Sequence, residues 1–94
     1  MVRAMERLAL LTYDYVDDVL ERRAPHREAH LAAIAEASAA GDLRIAGAAG
    51  DPPATGLLAF TSDAAAEAFV ARDPYVAAGL VVSHSIRPWN VVTS

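Results

Sequence analysis

The order of its short apolar segments constrains this chain more than any other feature of the sequence. Apolar runs at 7–13, 57–61 and 80–92, and an alternating run at 42–47, have the length and pattern of strands. Two alanine-rich segments separate them. The sequence therefore predicts the order strand, helix, strand, strand, helix, strand. This is the split βαβ, ferredoxin-like α+β arrangement, a four-stranded antiparallel sheet with both helices on one face.

Proline and glycine set the boundaries of the first predicted helix. Pro25 suits the first helical turn, where its missing N–H is not needed, and Gly41 is a natural C-terminal cap. The helix is predicted to run from Pro25 to about Ala40. Residues 14–23 are predicted to be a polar connection with a short helical turn, and residues 48–56 a loop, because two glycines and two prolines interrupt any strand there.

A second proline ends the second helix. Ser62 or Asp63 caps its start, and Pro74 pushes the preceding residue out of helical geometry, so the helix is predicted to stop near Arg72. Asp73 then stands where it can cap one further turn that has Pro74 at its first position.

The composition indicates one small domain, spanning 1–94, that benefits from a partner. Hydrophobic residues make up 54% of the 94 residues, but many of them are alanine, so the core is shallow. Two helices cover only one face of the sheet, and apolar strand residues point to the other face. Pro88 cannot donate to a strand ladder and predicts an edge or bulged position. We expect a homodimer that forms through the open sheet face.

Charge and residue usage exclude several classes of protein. Twelve acidic residues against eight basic ones leave no dense basic stripe, so we expect no nucleic-acid binding. The chain has no cysteine, which rules out disulfides and thiolate metal sites. The apolar run near the start is too short for a secretory signal or a membrane span. We therefore expect a soluble cytoplasmic protein.

The first helix carries an unusual pair of polar residues on its predicted inner face. Spacing at roughly 100° per residue brings five side chains into one core-facing stripe: Arg27, His30, Leu31, Ile34 and Ser38. A buried histidine with a satisfied partner and an arginine that reaches water along its stem would account for the pattern. A solvent-open pocket at the rim of the helix–sheet interface accounts for both residues more economically, because buried polar groups need partners.

Three side chains are candidate partners for this pair: Asp73, Asp14 and Tyr13. An N-cap role for Asp73 is compatible with this, since a capping carboxylate can still orient an imidazole. His26 and His30 are spaced i, i+4, which can chelate a metal, but the third ligand would have to be His84 or a carboxylate and no zinc-protease pattern is present. We predict no metal and no cofactor.

Five segments together resemble the YCII-related family. They are "RRAPHREAHL" at 22–31, "DLRIAG" at 42–47, "GLLAF" at 56–60, "ARDPYVAAGL" at 71–80 and "IRPWNVV" at 86–92. They span nearly the whole chain in the right order. Two positions depart from the family pattern. Ala48 stands where a proline is usual, and Leu57 stands where many members have a small hydroxyl residue, so a pocket hydroxyl at that position is not expected.

The resemblance implies a dimeric ferredoxin-like α+β barrel with an active-site pair formed by His30 and Asp73. It also implies that Arg23 and Arg27 match the family's arginines before the histidine. Members are similar in fold to muconolactone isomerase, and relatives are linked to dehydrochlorination of aromatic catabolites.

Two functions fit these residues. In the first, His30 acts as general acid or base, Asp73 holds its tautomer, and Arg27, Arg23 and Tyr13 bind a small anionic carbonyl or aromatic-catabolite substrate during isomerisation or elimination. In the second, the same pocket binds a small anion without catalysis, in a binding module or accessory subunit. Both use a base and an anion holder, so the sequence does not separate them.

Overall fold

Residues 6–94, which the computed structural model describes, follow the predicted alternation of strands and helices. The elements in chain order are β1 (Glu6–Tyr15), α1 (Val19–Arg22), a 3-10 turn (Ala24–His26), α2 (Arg27–Ala39), β2 (Leu43–Ala49), β3 (Thr55–Phe60), α3 (Asp63–Arg72), α4 (Pro74–Ala77) and β4 (Val81–Val91). Residues 1–5, part of the segment that we predict to be too short for a secretory signal, lie outside the described residues.

The sheet has four antiparallel strands in the order β2-β3-β1-β4, which confirms the ferredoxin-like prediction. β1 lies in the middle and pairs with β3 on one side and β4 on the other. Pro88 lies on β4 and pairs with Ala9 of β1. β4 is an edge strand, where a residue without an N–H is tolerated. None of the helices within residues 6–94 is long and apolar enough to cross a membrane.

Both long helices pack on the same face of the sheet. Alternate residues of β1, namely Ala9, Leu11 and Tyr13, point to this face because successive side chains of a strand point to opposite sides. The rest of the buried cluster comes from β2, β3 and the two helices: Ala33, Ala37, Leu43, Leu58, Phe60, Ala66 and Phe69. A second cluster, formed by Val19, Tyr75 and Leu80, joins α1 and α4 to the end of the sheet.

The orientation of α2 differs from the predicted one. His30, Ala33 and Ala37 are its buried residues, whereas Leu31 is 44% exposed and Ser38 is also exposed. The buried stripe is therefore rotated towards the side of His30 relative to the prediction. Because Ala33 and Ala37 are small, the helix can lie close to the sheet. The imidazole of His30 is then buried between the helix and the sheet. Ile34, half-buried, stays at the margin of the stripe.

Three strands are longer than predicted at one end of the sheet. β1 continues to Tyr15, and the β2–β3 hairpin is longer than expected, so that residues 50–54 alone form its loop. Ala49 pairs with Thr55. The added pairs at the end of β1 include a register shift: Asp14 pairs with Ser83 and Tyr15 with Val81, so the extra residue of this bulge lies on β4. The prolines and glycines of this segment correctly predict a loop, but the loop at 50–54 is shorter than the predicted one at 48–56.

The predicted helix caps are confirmed. Ser62 Oγ accepts a hydrogen bond of 3.1 Å from the backbone N–H of Ala65 at the start of α3. Asp73 caps α4, with Pro74 as its first residue. Gly41, with φ of 82°, follows α2 in the left-handed conformation that ends helices.

The face of the sheet opposite the helices is apolar and open. Ile45 is 64% exposed, Leu57 39% and Trp89 42%. Together with Leu10, Ala46, Gly47, Ala48 and Ala59 they line a shallow depression of about 240 Å³. This open sheet face is what the alternation in the strands predicts when helices cover only one side.

Gly56 is the glycine that the sheet depends on most. A Cβ atom at this position would overlap the hydroxyl of Tyr15, lie 2.9 Å from its Cζ and lie 3.3 Å from Tyr13 Cβ. At Gly47, by contrast, an added Cβ meets nothing within 4 Å. Both glycines lie in strands of the same hairpin, so they form a matched pair.

We predict that Gly56→Ala lowers the free energy of unfolding by about 1–3 kcal/mol, because the Tyr15 ring has to move. Gly47→Ala, the control, leaves it within about 0.5 kcal/mol. Urea unfolding followed by circular dichroism measures both. Equal stabilities for the two variants would mean that the ring of Tyr15 is not held over Gly56.

Candidate functional site

A buried carboxylate organises the site. Asp73 is 1% exposed and lies between α3 and α4, where Pro74 forces its backbone out of the helix. Its Oδ1 accepts hydrogen bonds from the backbone N–H of Tyr75, at 3.0 Å, and from His30 Nδ1, at 2.7 Å. Its Oδ2 accepts one from the Tyr13 hydroxyl, at 2.9 Å. A charge this deeply buried requires such partners.

His30 reaches this carboxylate from the second turn of α2. Its ring stacks on the ring of Tyr75, with centroids 3.6 Å apart and planes 2° apart, and the edge of Phe69 approaches at 6.4 Å. The hydrogen bond to Asp73 and the stacking contact fix the position and the plane of the imidazole. The predicted pair of His30 and Asp73 is therefore brought together in direct contact.

The hydrogen bond assigns the tautomer of a neutral His30. Ionised Asp73 only accepts hydrogen bonds, so Nδ1 must carry a proton and donate it. Nε2 is then the unprotonated nitrogen, free to accept a proton from another molecule. His30 also lines a cavity, and since Nδ1 is bound to Asp73, the opposite edge of the ring is the one available to that cavity.

The cavity lies between the start of α2, the end of β1 and the β2–β3 hairpin, and has a volume of about 290 Å³. Its apolar wall is made of Val19, Leu31, Ile34, Ala46, Gly47, Ala48 and Leu58. Its polar wall is made of Tyr15, Arg23, Arg27, His30 and Tyr75. Three predicted site residues, Arg23, Arg27 and His30, therefore share one cavity at the rim of the helix–sheet interface.

The two arginines supply uncompensated positive charge. Neither Arg23 nor Arg27 forms an ion pair with a carboxylate of residues 6–94. Arg27 Nη1 donates a hydrogen bond of 3.2 Å to the hydroxyl of Tyr75, which leaves its other donors free. In a chain with a net charge of −4, this is a local positive region suited to an anion.

Tyr13 is placed differently from the prediction. It is fully buried and absent from the cavity wall, and its hydroxyl is bound to Asp73. Burial raises the pKa of Tyr13 far above its usual value, and the charge of Asp73 and the hydrogen bond to it raise this pKa further. Tyr13 therefore stays protonated and holds Asp73, which suits a positioning role. Asp14, another predicted partner, binds the Ser83 hydroxyl at 2.7 Å instead.

Two tyrosines that line the cavity, Tyr15 and Tyr75, are not among the predicted site residues. Tyr75 stacks on His30, and Tyr15 approaches Tyr75 edge-on with ring centroids 6.2 Å apart. Burial, followed by the proximity of Tyr75 and Asp73, raises the pKa of Tyr15 to about 12, although Arg23 and Arg27 act in the opposite direction. The spacing of Tyr13 and Tyr15 along β1 places both side chains on one face of the strand, and this is the signal in the sequence that points to Tyr15.

The other two histidines, His26 and His84, do not line the cavity. His26 ends the 3-10 turn before α2, and His84 lies on β4 with its ring edge-on to Tyr13 at 6.5 Å. In the part of the chain that the structure describes, no three side chains of the metal-binding types come together. Within residues 6–94, therefore, no third metal ligand lies beside His26 and His30.

Comparison with protein families matches the YCII-related domain model to residues 7–90. The chain belongs to the YCII-related domain family. The match covers both the helix that carries His30 and the segment that carries Asp73, and it confirms the resemblance seen in the sequence motifs. Comparison with curated proteins gives no match.

A solved structure shares the fold. It is that of the 5-chloro-2-hydroxyhydroquinone dehydrochlorinase TftG from Burkholderia phenoliruptrix, in complex with 2,5-dihydroxybenzoquinone. The TM-score is 0.72 over 88% of this chain and 93% of TftG, with 22% sequence identity. At this identity the similarity establishes the ferredoxin-like fold of the YCII-related family, and no more.

The site geometry predicts a change of tautomer in Asp73→Asn. One amide oxygen cannot accept from all the donors that now converge on Asp73, and the amide N–H₂ group is itself a donor. We expect the neutral His30 ring to become protonated at Nε2 instead of Nδ1. We also expect the free energy of unfolding to fall by about 1–3 kcal/mol.

The ¹⁵N chemical shifts of the His30 ring distinguish the two tautomers. Asp14→Asn is the matched control, since that carboxylate is exposed and binds only Ser83 among the described residues. An unchanged Nδ1-protonated ring in Asp73→Asn would show that Asp73 does not set the tautomer.

Proposed function

We propose that this protein is a cofactor-independent, cytoplasmic enzyme of acid–base chemistry, in which His30 and Asp73 act on a small anionic carbonyl or aromatic compound. The observation that carries the proposal is the 2.7 Å contact between Asp73 Oδ1 and His30 Nδ1, at the wall of a cavity also lined by Arg23 and Arg27, which form no ion pair within residues 6–94. A base and an anion holder that share a cavity are what proton abstraction next to a carbonyl requires.

His30 serves as the base through Nε2. When it takes a proton the ring becomes an imidazolium, and the carboxylate of Asp73 stabilises that charge because it already accepts from Nδ1. Tyr13 and the backbone N–H of Tyr75 hold the carboxylate in place. The stacked ring of Tyr75 keeps the imidazole in one plane. These fixed contacts reduce the reorganisation that proton transfer would otherwise need.

Arg27 and Arg23 bind the oxygen on which negative charge develops. A guanidinium group donates two parallel hydrogen bonds to a carboxylate or enolate, which fixes the ligand as well as attracting it. A cavity of about 290 Å³ accommodates a single substituted ring or a short-chain acid. The apolar side chains that line the same cavity suit the carbon skeleton of such a molecule.

The relative with a named activity supports the reaction class. TftG is described as a dehydrochlorinase, and loss of HCl is an elimination that begins when a base removes a proton. TftG shares the fold of this chain, and its ligand is a small quinone with ionisable hydroxyl groups. We propose a substrate of the same general kind for this protein, an oxygen-rich ring or carbonyl compound that is an anion at neutral pH.

Chloride release from 5-chloro-2-hydroxyhydroquinone, together with isomerisation of small lactones, tests this proposal. We predict that His30→Gln and Asp73→Asn lower the turnover of an accepted substrate by about 10²–10⁴-fold, the usual contribution of a general base. His84→Gln, a histidine on β4 outside the cavity, is the control and retains turnover.

The alternative function predicts a different pattern. A binding module or accessory subunit would bind 2,5-dihydroxybenzoquinone in an Arg27-dependent manner and turn over none of these compounds. Turnover that is equal in wild type and His30→Gln would rule out the catalytic role of His30.

We further propose that a second copy of the chain covers the open sheet face, in a homodimer. The exposed side chains of Ile45, Leu57 and Trp89 form one apolar patch on the open sheet face, which is a typical interface between identical subunits. An alanine-rich core leaves each chain with little buried surface of its own, so association adds stability.

Light scattering after gel filtration tests the dimer. We predict that Ile45→Glu, on the open sheet face, shifts the protein from dimer to monomer because it buries an unpaired charge. Val82→Glu, at an apolar residue that is 70% exposed but outside the patch, is the control and leaves a dimer. A wild-type monomer, or dissociation by the control alone, would rule out this interface.

A further inference from the structure

Tyr15 lines the cavity from the end of β1. Tyr15 points to the same face of β1 as Tyr13, and its ring packs between the two buried clusters. The register shift beside it puts the extra residue, Val82, on β4, so the alternation of side chains along β1 continues to Tyr15. The resulting position brings the ring edge-on to both Tyr13 and Tyr75.

Gly56 makes room for the hydroxyl of Tyr15. A Cβ atom at Gly56 would overlap that hydroxyl, so no other residue type fits beneath it without moving the ring. Gly56 pairs with Ala48 on β2, and Ala48 lines the cavity. The hydroxyl of Tyr15 therefore lies on the hairpin side of the cavity, whereas His30 lies on the α2 side.

The hydroxyl of Tyr15 has no hydrogen-bond partner among the residues that the structure describes. Tyr13 donates to Asp73 and the hydroxyl of Tyr75 accepts from Arg27, but within residues 6–94 no hydrogen bond involves the hydroxyl of Tyr15. In the described part of the chain, Thr12 Oγ1 is the one side-chain nitrogen or oxygen that is both buried and without a hydrogen-bond partner. The hydroxyl of Tyr15 also lacks a partner there, so it must be accessible to solvent. A rigidly held donor that opens into a binding cavity is available to a ligand.

We propose that Tyr15 is a substrate-binding residue, whose hydroxyl donates a hydrogen bond to an anionic or carbonyl oxygen of the molecule in the cavity. This inference rests on the proposed function and adds to it a second point of oxygen recognition beside the arginines. It defines the ligand as a compound with at least two oxygens, one for the guanidinium groups and one for the phenol.

The phenol of Tyr15 can donate a hydrogen bond to a ligand but does not act as a base. Because the pKa of Tyr15 lies at about 12, the hydroxyl keeps its proton through the neutral range and cannot act as a second base. The division of roles is then simple: Nε2 of His30 accepts a proton, and the phenol only stabilises oxygen by hydrogen bonding. A para-dioxygenated ring, such as a dihydroxybenzoquinone dianion, presents oxygens on opposite sides and suits this separation.

Isothermal titration with 2,5-dihydroxybenzoquinone tests the assignment. We predict that Tyr15→Phe, which keeps the ring over Gly56, weakens binding by about tenfold to a hundredfold, as expected when one hydrogen bond to a charged oxygen is lost. Its thermal stability should stay close to that of wild type. Thr61→Val, which removes an exposed hydroxyl outside the cavity, is the control and binds as wild type does.

The outcomes separate this inference from the proposed function. Weaker binding by Tyr15→Phe supports the inference even if no compound is turned over, in which case the catalytic proposal alone fails. Unchanged binding by Tyr15→Phe, with turnover that depends on His30, overturns the inference and leaves the catalytic proposal standing. A wild-type protein that does not bind this dianion also overturns the inference, since the phenol then recognises no such oxygen.

Discussion

The buried carboxylate of Asp73 is the interaction on which the rest of the site depends. It joins three parts of the fold that are distant in sequence, because it accepts hydrogen bonds from Tyr13 on β1, His30 on α2 and the backbone of α4. Each donor relieves part of the cost of placing a charge at 1% exposure. The same bonds that make the carboxylate tolerable also fix the imidazole that faces the cavity, so stability and site geometry share one origin.

Small residues give this arrangement its shape. Ala33 and Ala37 bring α2 close to the sheet, and Gly56 lets the ring of Tyr15 lie against β3. Ala46, Gly47 and Ala48 line the cavity itself, and larger side chains at these three positions would fill its space. The alanine-rich composition, which limits the core of one chain, therefore also leaves room for a ligand on one face of the sheet. On the other face it leaves an apolar patch for which we propose a second copy.

Much of the fold was predictable from local patterns, whereas parts of the site were not. Proline, glycine and capping residues placed α3, α4 and the edge strand correctly, because each of these signals acts within a few residues. The rotation of α2 was not predictable from helical periodicity alone. Alanine is too small to mark a face by its hydrophobicity, so the larger Leu31 was predicted to be buried, and it is 44% exposed.

The sequence by itself determined the alternation of elements, the cap at Asp73 and the presence of His30 on one side of α2, since these follow from spacing along the chain. Only the tertiary structure decided which tyrosine binds Asp73 and which one lines the cavity. Tyr13 and Tyr15 share one face of β1 and are chemically identical. Their roles differ because a glycine on the neighbouring strand and the depth of the helix packing act on them from elsewhere in the fold.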